Sequence, residues 1–137
     1  MTIVLDASVT LASYFRDERT PAINALFDHI AEVGAVAPMI WPLDVANGLQ
    51  VAVGRGRVDA AYRDLSLRDL AEFSILLDTE TGATAWTTTV KLADLHGLTV
   101  YDAAYLDLAL RRGAALATVD KKLRAAGAAS GLELLGL

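Results

Sequence analysis

Two short apolar runs in this chain each lead directly into an aspartate. Residues 2–5 are followed by Asp6, and residues 114–119 are followed by Asp120. Apolar runs of this length, bounded by polar or turn residues, are typical of buried β-strands. In an open parallel sheet, the residues that follow the strands lie at one edge, which is where such sheets bind ligands. The two aspartates therefore predict both a buried sheet and the position of a site on it.

Three further segments have the composition of short strands, and helical segments separate all five. The predicted strands are residues 2–5, 35–37, 73–77, 114–119 and 132–135. The predicted helices are residues 8–15, 21–33, 42–54, 60–72, 81–95 and 103–112, with a short one after Asp120. Thr20 and Asp59 are expected to cap two of them. Strands that alternate with helices predict an α/β fold with a mainly parallel sheet, and the length fits one domain over residues 1–137.

The composition excludes several classes of protein. The chain has no cysteine, which rules out disulfides, thiolate metal sites and cysteine nucleophiles. No segment approaches the roughly 20 apolar residues of a membrane helix, and residues 1–6 lack the pattern of a secretion signal. We therefore expect a cytoplasmic protein without a membrane partner. The net charge of −5 does not suit nucleic-acid binding through a basic surface alone, but it suits carboxylates gathered around divalent cations.

A third aspartate, Asp102, follows the apolar run 98–100 and is expected to cap the helix 103–112. If the strands are parallel neighbours, Asp6, Asp102 and Asp120 converge at one edge of the sheet. Each of them alone has a simpler explanation as a helix cap. Together they would raise one another's pKa unless a cation lay between them, so the cluster predicts a metal site. Oxygen ligands suit Mg²⁺ or Mn²⁺, which indicates metal-assisted phosphodiester chemistry.

Four sequence blocks each contain an aspartate: VLDAS (4–8), PLDVANGL (42–49), YDAAYLDLA (101–109) and TVDKKL (118–123). They resemble the conserved blocks of PIN-domain ribonucleases, and most of all those of VapC-like toxins from bacterial toxin–antitoxin pairs. They occur in the order found in the family and extend over residues 4–123.

The resemblance implies a three-layer α/β/α PIN-like domain with a five-stranded, mainly parallel sheet. It assigns catalysis, and the binding of one or two Mg²⁺ or Mn²⁺ ions, to four acids: Asp6, Asp44, Asp102 and Asp120. It also implies hydrolysis of RNA by a metal-activated water, a cognate antitoxin that covers the site, and a homodimer. Apolar helix positions in segments 65–77 and 83–95 are expected to provide either protein interface.

Three polar residues are expected to support the acids. Ser8 and Thr118 match family positions that hydrogen-bond the acids. Asn47 lies three residues after Asp44, hence on the same helix face, and is expected to orient Asp44 or to contact RNA. An ordinary surface position is the alternative for Asn47.

Arg55, Lys121 and Lys122 are candidates for contacts with RNA phosphates. Lys121 and Lys122 directly follow Asp120, whereas Arg55 lies in a glycine-containing turn. A solvated position is the alternative for each of the three. Asp107 also matches an acid common in the family, and for it we expect a salt bridge.

Asp44 departs from the family pattern, because this position is normally glutamate. Aspartate is one methylene shorter, and misplacement of a catalytic group by ~1 Å can cost about 100-fold in rate. One alternative is therefore an interaction module that has kept the fold and lost catalysis. Another is a phosphoryl-transfer enzyme of a different α/β fold that acts through Asp6, although such enzymes have two neighbouring acids at the first strand and here Ala7 and Ser8 follow.

Overall fold

The computed structural model describes residues 1–137 and contains one five-stranded sheet. Its strands are β1 (Ile3–Leu5), β2 (Ala35–Pro38), β3 (Ile75–Asp78), β4 (Ala115–Ala117) and β5 (Leu134–Leu135). They lie in the order β3-β2-β1-β4-β5, and every neighbouring pair is parallel. The predicted α/β fold and the five predicted strands are confirmed, and the sheet is entirely rather than mainly parallel.

The central strand β1 is buried on both faces. Ile3, Val4 and Leu5 are each at most 1% exposed, and Val4 pairs with Val36 on one side and Leu116 on the other. Strands covered by helices on both faces consist of continuous apolar runs, which is the pattern that predicted this strand. The buried side chains of the sheet and helices form one cluster of 30 residues.

Eight α-helical segments and one π-helical segment connect the strands. They are α1 (Ala7–Ala12), α2 (Pro21–Val33), α3 (Trp41–Gly54), α4 (Ala60–Ala71), α5 (Thr81–Thr84), the π segment (Ala85–Thr89), α6 (Val90–His96), α7 (Val100–Arg112) and α8 (Lys121–Ala129). The side chains of Thr20 and Asp59 cap α2 and α4, as predicted. None of the helices combines the length and the apolar character needed to cross a bilayer.

The prediction that Asp102 caps its helix is wrong. Helix α7 begins at Val100, and its cap is Thr99, whose Oγ1 accepts a hydrogen bond from the Asp102 backbone N–H at 3.0 Å. A threonine followed three residues later by an acid is a recognised start of a helix, and here that pattern begins three residues before Asp102. The run 98–100 is consequently not a strand, and Asp102 lies in the first turn of α7.

The helix predicted over residues 81–95 is present as one uninterrupted helical stretch, but its middle part is π-helical. A π segment separates α5 from α6, and α6 ends at His96 before Gly97, which is left-handed with φ 65°. Thr84, at the start of the irregular stretch, donates its hydroxyl hydrogen to Oδ2 of Asp107 at 2.9 Å. No residue pattern in this segment distinguishes the π segment from regular helix.

Arg111 connects α7 to the edge of the sheet. Its guanidinium contacts Asp107 at 2.9 Å, which confirms the salt bridge expected for that acid, and Asp78 at 2.7 Å. This arginine holds the pKa of Asp78 below its ordinary value, although burial acts in the opposite direction. Asp78 ends β3 just as Asp6 follows β1, but its charge is neutralised within the chain.

Candidate active site

Asp6 and Asp120 lie beyond the ends of the two central strands. Strands β1 and β4 pair in register from Ile3↔Ala115 to Leu5↔Ala117, and the Asp6 backbone N–H continues the pairing with a 3.0 Å hydrogen bond to the Ala117 carbonyl. Asp120 follows three residues after β4 and precedes α8. Parallel pairing thus brings two acids that are far apart in the sequence to the same edge of the sheet.

Asp44 and Asp102 occupy equivalent positions on two helices. Each lies in the first turn of its helix, α3 for Asp44 and α7 for Asp102. The unpaired N–H groups of a first turn carry partial positive charge and favour a carboxylate there. The second pair of acids is therefore positioned by helix starts, not by strand ends.

The four carboxylates influence one another electrostatically. Burial raises the pKa of Asp102, and the negative charges of Asp120 and Asp44 raise it further. Burial also raises the pKa of Asp6 to about 6, and the charge of Asp102 adds to this increase. Asp102 thus lies within electrostatic range of each of the other three acids.

Two hydroxyl groups hold the Asp6 side chain. Ser8 Oγ and Thr118 Oγ1 donate to Asp6 Oδ2 at 2.5 and 2.7 Å, and Asp6 is only 4% exposed. Both hydrogen bonds stabilise the charged form and lower the pKa, but burial has the larger effect. Thr118 Oγ1 also accepts from the Asp120 backbone N–H at 3.0 Å, which links the two acids of the central strands.

Asp120 is both a member of the cluster and a helix cap. Its Oδ2 accepts a hydrogen bond from the Leu123 backbone N–H at 2.9 Å and so caps α8. The simpler role expected for each aspartate alone, that of a helix cap, is therefore confirmed for Oδ2 of Asp120. The other oxygen, Oδ1, makes no hydrogen bond within the chain and is free to bind a ligand.

Tyr105 holds Asp44, a role that was not predicted from the sequence. Its phenolic oxygen donates to Asp44 Oδ2 at 2.9 Å, and the residue is fully buried. Burial and the charges of Asp6 and Asp44 raise the pKa of Tyr105, so the phenol stays protonated and remains a donor. The available signal was its position three residues after Asp102, which places the two on one face of α7.

The remaining predicted residues lie at different distances from the acids. Lys122 lies close enough to Asp102 to lower its pKa, and Lys121 begins α8 beside Asp120. Asn47 is exposed and lines a pocket together with Asp44, but the hydrogen bond to Asp44 comes from Tyr105. Arg55 lies at the opposite end of α3 from Asp44, about 16 Å along the helix axis.

The donor set at this edge fits a hard divalent cation. None of the four acids forms a salt bridge, in contrast to Asp78 and Asp107, which share Arg111. No three acidic or histidine side chains form a group close enough to hold an ion directly. Magnesium, however, is usually bound through one or two carboxylates and several waters. The carboxylate oxygens present, which are hard ligands without competing salt bridges, suit such a hydrated ion.

Comparisons with known proteins point to one family. The model of the family described as PIN domain matches residues 3–129. The chain is 32% identical over 123 residues to the protein named Ribonuclease VapC3 from Pyrobaculum aerophilum, which covers 90% of this chain and 92% of that protein.

Solved structures agree on the fold. The crystal structure of PAE2754 from Pyrobaculum aerophilum superposes with a TM-score of 0.68 and 26% identity, covering 92% of this chain and 86% of that one. The crystal structure of FitAcB from Neisseria gonorrhoeae matches with a TM-score of 0.59 and 17% identity, over 98% and 96% of the two chains, and supports the fold alone. The family model and the curated relative each extend over most of the chain, so this protein belongs to the PIN domain family and is VapC-like within it.

Proposed function

We propose that this protein is an endoribonuclease that hydrolyses RNA phosphodiester bonds with the help of Mg²⁺ or Mn²⁺. The observation that carries the proposal is the group of Asp6, Asp44, Asp102 and Asp120, four carboxylates that form no salt bridge and whose charges act on one another. Asp6 is buried and the other three acids are half-buried. Like charges that lie close together with so little water around them are stable only if a cation compensates them or protons neutralise them. The similarity to a protein named as a ribonuclease supports the same function.

Each acid contributes in a way that its environment suggests. Asp6, fixed by Ser8 and Thr118, and Asp120, held through its Oδ2 by the Leu123 backbone N–H, would be the best-ordered oxygen ligands of such an ion. Asp44 and Asp102, in the first turns of α3 and α7, would complete the set. A divalent cation bound there would polarise the phosphodiester and lower the pKa of the attacking water.

Lys122 supplies the positive charge that the acids lack. It lies near Asp102 and is exposed, so its ammonium group can reach a phosphate of the RNA backbone. Lys121, the neighbouring residue at the start of α8, is the second candidate for such a contact.

The nuclease proposal is tested by incubating the purified protein with single-stranded RNA over a series of Mg²⁺ and Mn²⁺ concentrations. We expect cleavage that requires metal and is abolished in Asp6→Asn. The matched control is Asp28→Asn, an exposed acid on α2 that contacts none of the four. Cleavage that survives Asp6→Asn, or that needs no metal, would contradict the proposal.

We further propose that the nuclease is the toxin of a toxin–antitoxin pair, acts in the cytoplasm and forms a homodimer. The VapC-like relationship supports the toxin role. Exposed apolar side chains are available for partner proteins: Leu65 on α4, Leu76 on β3, and Trp86, Val90 and Leu95 on the helical stretch before α7. Induced expression of the wild type in a bacterial host should arrest growth, whereas expression of Asp6→Asn should not. Equal growth at equal protein levels would contradict the toxin role.

An interaction module without catalysis is the second candidate. It is favoured by the absence of any three acids close enough to hold an ion directly and by the aspartate at position 44. Such a module would bind its partner and cleave no RNA at any metal concentration, so the cleavage assay separates the two. The aspartyl-phosphate alternative is not supported, because the chain belongs to the PIN domain family.

A further inference from the structure

A pocket of about 320 Å³ lies directly beside the proposed catalytic acids. Its lining consists of Ile40, Leu43, Asp44, Asn47 and Tyr101. The pocket is formed where the first two turns of α3 meet the start of α7. One of the four acids, Asp44, belongs to its wall, so a molecule in the pocket would be in contact with the proposed active site.

Two large apolar side chains of this pocket are exposed to solvent. Leu43 is 76% exposed and Tyr101 is 68% exposed, and they immediately precede Asp44 and Asp102 in the sequence. A single exposed apolar side chain is ordinary on a protein surface. Several of them beside polar groups that point into the same pocket are typical of a ligand-binding site. Neither side chain is needed for the packing of the core.

The chemistry of the lining selects among ligands. No lysine or arginine lines the pocket, and Asp44 is negatively charged, so a phosphate is disfavoured there. Tyr101 offers an aromatic face and Leu43 an aliphatic one. Asn47 lies one turn after Leu43 on α3, and its side-chain amide makes no hydrogen bond within the chain. That amide provides one acceptor and two donors.

A flat, neutral group with hydrogen-bonding edges matches this combination. Single-stranded RNA is recognised in many proteins by bases that leave the stack, lie against an aromatic side chain and hydrogen-bond at their edges. We propose that this pocket binds one nucleobase of the RNA next to the bond that is cut, with Tyr101 as the stacking surface and Asn47 contacting the base edge. The proposal rests on the ribonuclease function and adds a determinant of base preference to it.

The test measures binding, so that it does not depend on the metal-loaded enzyme. In an Asp6→Asn background, fluorescence anisotropy is recorded with labelled U, C and A dodecamers for the parent, Tyr101→Ala, Tyr101→Phe and Asn47→Ala. Stacking of a base on an aromatic ring accounts for roughly a 5- to 100-fold difference in affinity. We expect Tyr101→Ala to weaken binding to that extent and Tyr101→Phe to retain it. Asn47→Ala should reduce the difference in affinity among the three oligomers.

Trp86→Ala is the matched control. Trp86 is 93% exposed, lies in the π segment and is not part of the pocket, so its removal should leave binding unchanged. Because Tyr101 is also largely exposed, its truncation leaves the core intact. If Tyr101→Ala bound all three RNAs as tightly as Trp86→Ala, the base pocket would be refuted while the nuclease proposal stood. If the parent bound none of them, the nuclease proposal would be refuted and the pocket proposal with it.

Discussion

The phenolic oxygen of Tyr105 donates a 2.9 Å hydrogen bond to Oδ2 of Asp44, from helix α7 to helix α3. This bond fixes the one acid whose side chain is shorter than the family pattern implies. Because Tyr105 is fully buried beneath the acids, its position is set by core packing. The geometry of Asp44 therefore depends on the packing of α7.

Replacing Tyr105 by phenylalanine should lower catalysis without unfolding the protein. The ring still fills its site, but Asp44 loses a hydrogen bond of the charged type, which contributes about 1.5–3 kcal/mol. We expect kcat to fall by roughly 10- to 100-fold, with little change in the KM for RNA, in steady-state assays of the purified protein. Tyr14→Phe is the matched control, because it removes a similar tyrosine–aspartate bond, to Asp69, away from the site. Equal losses in both variants would argue against a specific role of Tyr105.

Replacing Asp44 by glutamate should preserve or raise activity. The side chain borders a pocket of about 320 Å³ and has room for the additional methylene. The glutamate carboxylate would extend further towards the other acids, and so depend less on Tyr105. In kinetic assays, the effect of Tyr105→Phe should therefore be smaller in Asp44→Glu than in the wild type. A large loss of activity in Asp44→Glu would instead show that Asp44 has a geometry of its own.

The raised pKa of Asp6 makes the metal-free protein less stable as the pH rises. Folding moves this pKa from 3.8 to about 6, so the folded state binds the proton more tightly than the unfolded state. The contribution of Asp6 to the free energy of unfolding is therefore largest below pH 4. It falls as the pH rises from about 4 to 6 and is about 3 kcal/mol lower at neutral pH. The uncharged variant Asp6→Asn should be more stable than the wild type at pH 7 in the presence of a chelator. Urea unfolding at pH 4 and pH 7 measures the difference, which should disappear at pH 4.

The same comparison reports metal binding. Adding Mg²⁺ at pH 7 should stabilise the wild type, because a ligand that binds only the folded state shifts the equilibrium towards it. Asp6→Asn should gain much less. If Mg²⁺ stabilised both proteins equally, Asp6 would not be a ligand of the ion.

Removing Lys122 should weaken RNA binding in a salt-dependent way. Lys122→Ala loses a positive charge near Asp102. The slope of log affinity against log salt should become less steep by about 1, as expected for the loss of one phosphate contact. Arg68→Ala carries the same change of charge at an exposed position on α4 and should leave the slope unchanged. Equal slopes in the two variants would exclude a contact of Lys122 with the backbone.

The sheet and two of its acids could be predicted because the relevant signals are local. A fully buried parallel strand requires a continuous apolar run, and Asp6 and Asp120 follow such runs directly. The same rule cannot tell a candidate site residue such as Asp6 from Asp78. Asp78 also stands at a strand end, but it forms a salt bridge with Arg111. That pairing joins residues 33 positions apart, and no local pattern indicates it.

The cap of helix α7 and the hydrogen-bond partner of Tyr105 could not be predicted from the sequence directly around Asp102 and Tyr105. The sequence predicts a cap at Asp102 because aspartate is a favoured cap residue, but threonine is one too, and Thr99 caps this helix. The partner of Tyr105 is 61 residues away in the chain. Spacing along α7 shows that Tyr105 and Asp102 share a face, but it cannot show that Asp44 lies opposite.

The acids of this site come from four separate elements, between residue 6 after β1 and residue 120 before α8. No fragment cut within this interval carries the complete set. A ribosome that has synthesised the first 119 residues holds a chain that still lacks Asp120, and a protease that cleaves the loop after β2 separates Asp6 from the rest. A cut anywhere between residues 6 and 120 therefore leaves the four acids on two different polypeptides.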